Sequence, residues 1–179
     1  MFDELGGVGG QFGHVAIERG SEVGGGDVRV DVGCVVRVSE LRRAGPGRLQ
    51  AAVVGTHRFR VTRWLPDAPY PRAVAEVLAD RTARPGDEAA EGDACARVDR
   101  ACRDAGLEPH RVWQAWTGVA SQPTPTAAGG RDWTWSALGT LDANVLDVVR
   151  ALRCDHPSER AAVVADLVEH LAEVRRALS

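Results

Sequence analysis

Apolar and polar residues alternate along the first half of the chain and recur at helical spacing along the second. Residues 12–17 read FGHVAI, a short apolar run suited to a buried strand. Residues 57–63 alternate strictly, with Phe59 and Val61 on one face and Arg58, Arg60 and Thr62 on the other. Residues 34–41 and 48–54 predict two more strands, and Gly45, Pro46 and Gly47 between them mark a hairpin turn. Residues 58–65 predict the next strand, after which Pro66, Asp67, Pro69 and Pro71 break the chain. In the segment 72–78 that follows, Ala73, Ala75 and Val77 share one face.

From residue 87 onward the period changes. Ala94, Val98, Ala101 and Ala105 fall at helical spacing beside Cys95 and Cys102, and Gly106 is placed to stop that helix. A shorter helix is expected over 109–117. Asp142 is placed to cap a helix presenting Val145, Val149 and Leu152. Ser158 is placed to cap a last helix presenting Val164, Leu167, Val168, Leu171, Val174 and Leu178. Residues 121–131, rich in Pro, Thr, Ala and Gly, read as a flexible connection. The fold class is therefore α+β: a small curved antiparallel sheet or pseudo-barrel over 1–80, then a helical part over 81–179. There is no internal repeat.

Composition narrows the classes of function. The 179 residues lie within the usual size of one domain, and a formal charge of −3 argues against general nucleic-acid binding. No stretch approaches the roughly 18 continuous apolar residues of a membrane span, and the acidic, glycine-rich start does not read as a signal peptide, so a cytoplasmic location is expected. Lysine is absent altogether, and all 22 basic residues other than histidine are arginine. That removes the phosphate-loop lysine of nucleotide hydrolases and any Schiff-base or Ser-Lys chemistry, each of which needs an amine.

Other chemistries have weak carriers. Cys34, Cys95, Cys102 and Cys154 form no C-x-x-C pair. Cys95 and Cys102 lie two helical turns apart, too far for an easy disulfide within a straight helix, and buried inert thiols are the expectation. Ser21 sits in a glycine-rich turn but lacks the G-x-S-x-G frame of a nucleophile elbow, and Glu18 and Glu22 read as solvated turn acids. No catalytic residue, metal ligand or cofactor is assigned.

Several segments in order carry a resemblance. FG and an apolar run at 12–17 precede ERGSEVGGGD at 18–27; DVG follows at 31–33, GTHRFRV at 55–61, WLPDAPYPRA at 64–73 and LGTLD at 138–142. In this order they resemble the amino-terminal, substrate-binding domain of the Lon protease family, in particular its stand-alone actinobacterial type. The resemblance is strong over 12–78 and weak beyond. It implies a pseudo-barrel like the RNA-modification accessory domain called PUA, followed by helices, and a recognition module that lacks the protease and ATPase segments. The family's usual LPLFPL-like first strand, VLFPG turn and helix have no counterpart in MFDELGGVGG, residues 1–10. An unpaired sheet edge open to self-association is expected there.

The resemblance also implies a partner, an unfolded or tagged polypeptide or a partner protein, and a role as an adaptor in proteolysis. Trp64, Leu65 and Tyr70, beside the proline-rich loop, are the candidate contact residues, since Trp and Tyr give large contact area with little rotamer entropy. The alternative for Trp64 is that it caps the sheet core. A second function class is RNA binding through the PUA-like shape, with Arg58, Arg60, Arg63 and Arg72 on an outward face pairing with phosphates. Trp113, Trp116, Trp133 and Trp135 read as packing residues.

Overall fold

The computed structural model describes residues 7–20, 26–46, 48–79, 84–118, 133–141 and 143–178. The connection expected at 121–131, the turn residues Ser21 and Glu22, the cap Asp142 and residues 1–6 lie outside these. Two compact units divide the chain, residues 1–79 and 80–179.

The first unit is a four-stranded antiparallel sheet in the order β1-β2-β3-β4: β1 Gln11–Arg19, β2 Val28–Gly45, β3 Arg48–Leu65 and β4 Arg72–Leu78. Ahead of β1, Gly9 donates to the Val38 carbonyl at 2.9 Å, and Val38 returns a 2.9 Å bond to Gly10, so pairing with β2 already begins there. The expected strands 48–54 and 58–65 are one strand. Gly55, which reads as a strand end, pairs with Val36, while His57 pairs with Val35. Thr56 is thus an extra residue in a β-bulge, and its hydroxyl donates to the Val35 carbonyl at 2.9 Å. β2 likewise runs beyond 34–41 at both ends. Val30, Val32, Val36, Val38 and Phe59 are the buried apolar residues of this unit.

The second unit contains α1 Asp87–Asp104, α2 Pro109–Thr117, α3 Trp133–Thr140, α4 Val145–Arg153 and α5 Pro157–Ala177. Ala94, Cys95, Val98, Ala101 and Cys102 line the buried stripe of α1, which packs against α5. Trp113 and Trp133 meet edge to face with centroids 5.0 Å apart, and Trp116 stacks on Trp133 at 5.9 Å. Two of these indoles have hydrogen-bond partners: Trp113 Nε1 donates to Asp99 at 2.7 Å and Trp133 Nε1 to Glu91 at 3.0 Å. Trp135 is half-buried, with the Arg160 guanidinium 4.8 Å from its ring centroid.

Helix caps fall elsewhere than the sequence predicts. α4 is capped by Asn144, whose Oδ1 accepts from the backbone N–H groups of Leu146 and Asp147 at 2.9 and 3.2 Å. The α5 cap lies two residues before the expected one, with His156 at the N-cap and Pro157 in the first helical position, where a missing N–H costs nothing. Ser158 therefore lies inside the first turn, buried, and its hydroxyl donates to Asp87 at 2.7 Å. Among the described residues no helix is long and apolar enough to cross a membrane.

Candidate functional site

Strand register brings the apolar positions of the sheet onto one face. Val15 lies opposite Gly33, Gly33 opposite Phe59, and Phe59 opposite Val77; Val61 faces Ala75 and Trp64 faces Ala73. Side chains of period two on adjacent strands share a side, so these residues form one surface. All but Gly33 line an open groove of about 430 Å³ that takes residues from all four strands. That volume lies within the roughly 300–1,000 Å³ of ligand pockets.

Two glycines lie close against Phe59, whose ring lines the groove. A Cβ added at Gly33 would stand 2.6 Å from the Phe59 ring and 2.7 Å from Val15 Cγ1, and one at Gly13 would stand 3.1 Å from the same ring. Close approach, and not an unusual backbone angle, requires glycine at Gly33 and leaves little room for a side chain at Gly13. The FG, DVG and RFRV segments thus meet at one ring.

Trp64 stands at one end of the groove, 37% exposed. The Arg29 guanidinium lies 5.1 Å from its ring centroid, within cation–π range. Arg29 forks onto Asp27 and onto Asp67, reaching the latter at 3.2 and 3.4 Å. These hydrogen bonds, Asp67 first and Asp27 second, raise the guanidinium pKa further. One side chain therefore joins the acid that follows the triple glycine, the acid of the WLPD segment and the tryptophan. Nothing in the spacing of Arg29 marked it for this role, because its partners are 2 and 38 residues away.

The other expected contact residues divide. Leu65 and Tyr70 are half-buried and do not line the groove. Val35, Phe59, Val61, Ala73, Ala75 and Val77 do line it, and the alternation at 59–61 and 73–77 was their sequence signal. The arginines do not form one outward face. Arg58 is 6% exposed and reaches the Ala79 carbonyl at 3.5 Å. Arg72 donates twice to the Pro66 carbonyl, at 3.1 and 3.2 Å, and so folds the proline-rich loop. Arg60 and Arg63 are exposed.

The helical unit holds three constellations that resemble sites. Asp87, His156 and Ser158 converge, with His156 Nδ1 3.5 Å from the Asp87 carboxylate. The serine hydroxyl, however, donates to the acid and not to the imidazole, so nothing activates it as a nucleophile. Asp87 is held below the usual carboxylate range, first by the Arg84 backbone N–H and then by Ser158. Among the thiols, burial pushes Cys95 up to about 12 and raises Cys102, which makes both poor nucleophiles. Among the described residues no His, Cys, Asp and Glu cluster could hold a metal ion. An apolar groove of about 550 Å³ also opens beside Trp116, Leu171 and Val174.

Comparison with known proteins covers the sheet groove in full and the helical groove only in part. Residues 8–111 match the family model described as the ATP-dependent protease La (LON) substrate-binding domain. That span contains the whole sheet groove, whereas Leu171 and Val174 of the helical groove fall outside it. No curated protein matches the chain. Among solved structures, the N-terminal domain of a Mycobacterium avium complex Lon protease is similar at 12% identity with a TM-score of 0.58, covering 87% of this chain and 76% of that one. A Lon N-terminal domain protein from Xanthomonas campestris aligns at 19% identity and a TM-score of 0.44, covering 86% of each chain. The first of these shares the fold of an antiparallel sheet followed by helices.

Proposed function

Because the chain belongs to the ATP-dependent protease La (LON) substrate-binding domain family, we propose that it captures polypeptide segments in the sheet groove and acts as a non-catalytic adaptor for a partner protease. The observation that carries this reading is the groove itself. An apolar surface drawn from four strands ends at a tryptophan packed beside Arg29, which is itself held by Asp27 and Asp67. A rigid, part-exposed aromatic beside an apolar trough loses little entropy on binding an apolar side chain. The contact set is then Trp64, Val61, Phe59, Ala75 and Val77, with Leu65 and Tyr70 supporting the loop beside them.

No observation favours the arginine-based RNA reading, since Arg58 is buried and the four arginines do not share one outward face. Fluorescence anisotropy with a labelled, reduced and carboxymethylated polypeptide tests the proposal. Trp64→Ala and Val77→Asp are each expected to weaken binding by about tenfold or more, the scale of a lost hot-spot contact. Arg60→Glu with Arg63→Glu should leave it within about twofold. Full affinity in the Trp64 and Val77 variants would place the contact elsewhere.

A further inference from the structure

The two outer strands of the sheet, β1 and β4, differ as edges. β1 pairs with β2 through register shifts at Val15/Ile17 and again at Ile17/Arg19. Such irregularities bend an edge and discourage a further strand. β4 is regular from Arg72 to Leu78, since its one shift against β3 adds a residue on β3 and none on β4. It contains no proline, and Val74 and Val77 are 43% and 61% exposed. A regular, apolar outer strand with no proline is the kind of edge to which another chain pairs.

The groove reaches this edge. Ala73, Ala75 and Val77 of β4 line it together with Gly13 and Val15 of β1, so both outer strands border the same space. Arg72, Val74 and Glu76 lie on the opposite face of β4, by the alternation of a strand.

We propose that an extended polypeptide segment adds to β4 as an antiparallel fifth strand, with every second side chain seated in the groove. This rests on the polypeptide-capture reading above. Backbone pairing supplies affinity without regard to sequence, and the groove selects apolar residues at alternate positions. On the other face the neighbours are Arg72 and Glu76, so the complementary segment carries an acid against the first and a base against the second. Arg72 uses two of its five donors on Pro66, which leaves donors for a carboxylate. The substrate class that follows is a strand-forming segment of an unfolded protein, alternating apolar and polar residues that a folded protein would hide in a sheet. Helix-forming segments, with apolar residues three and four apart, do not match this period.

The probe is a fluorescein-labelled ten-residue peptide alternating valine with serine, with one serine replaced by glutamate and another, four residues away, by arginine. Two further versions carry N-methyl groups on alternate amides, one version for each parity. In an antiparallel pair only every second amide of the added strand points at its neighbour. One parity should therefore lose affinity by about tenfold or more while the other stays within about twofold. Hydrogen exchange should slow in residues 72–78 when the parent peptide is bound. Arg72→Glu should weaken the parent peptide, and replacing the peptide's glutamate by arginine should restore it. Equal effects of the two methylation patterns, or protection confined to other residues, would overturn strand addition while leaving capture by the groove intact. Failure of the parent peptide to bind the unaltered protein would overturn both.

Discussion

The helical unit packs its tryptophan cluster away while leaving Val145, Leu146 and Leu178 open at its surface, and the sheet unit aligns open apolar residues along one groove. Trp113, Trp116 and Trp133 are each 5% exposed or less, and the indole N–H groups of Trp113 and Trp133 donate to Asp99 and Glu91. In the sheet, Val53, Val54, Val74, Val77 and Trp64 are all more than one third exposed. A helix buries a stripe of its own length against another helix, while an antiparallel sheet can pack one face and leave the other to solvent. The contrast teaches where to look for binding: in the unit whose apolar residues are aligned but incompletely covered.

The largest effect that would test this contrast is loss of the helical core. Trp113→Ala removes a ring packed on two others and its hydrogen bond to the part-buried Asp99, and should cost about 3–5 kcal/mol. Urea unfolding followed by hydrogen exchange should show the loss in residues 84–118 and 143–178, with the sheet amides retaining their protection. Equal loss in both units would mean that they unfold as one.

A smaller effect probes the sheet. Gly33→Ala places a methyl 2.6 Å from the Phe59 ring, against backbone and side chains on either side, and should destabilise the sheet by about 1–3 kcal/mol. Gly92→Ala is the control, in the middle of α1 with open space around it, and should stabilise the helical unit by about 0.5–1 kcal/mol. If both substitutions move the urea midpoint in the same direction, the approach of Gly33 to Phe59 does not require glycine.

Acid should act mainly on the helices. Burial raises Asp166 and Glu159, but hydrogen bonds from Arg97 and Arg150, and from the His156 backbone and Arg84, outweigh it, so both carboxyls titrate below their ordinary values. Glu169, bonded by Arg97, and Asp87 are likewise lowered. A carboxyl whose folded pKa is depressed stabilises the fold above its unfolded pKa, and that contribution fades as the pH falls through the folded value. The helical urea midpoint should thus hold from neutral pH to about pH 5 and fall below about pH 4, near the unfolded carboxylate values. A midpoint that stays flat to pH 3 would show that these pairs contribute nothing.

The elements themselves were legible because their signals are local. Alternation at 57–63 and 72–78, the glycine-proline turn at 45–47 and the apolar stripe of α1 each depend on neighbours within one strand or helix. The errors came where local signals compete. Gly55 reads as a strand end and serves as the start of a bulge, and Ser158 reads as a cap although Pro157 moves the cap to His156. α3 escaped notice because Trp133 and Trp135 fit either period.

For the candidate site, sequence determined the ingredients: Trp64, the alternating apolar faces of two strands, and the family to which the glycine motifs point. Only the tertiary structure decided that Gly13 and Gly33 yield to Phe59, that Arg29 ties Asp27 and Asp67 beside Trp64, and that Arg58 is buried. The physical reason is distance along the chain. Period and turn chemistry act over a few residues, whereas groove walls and ion pairs are set by strand register, which joins residues tens of positions apart and appears only once the ladder has formed.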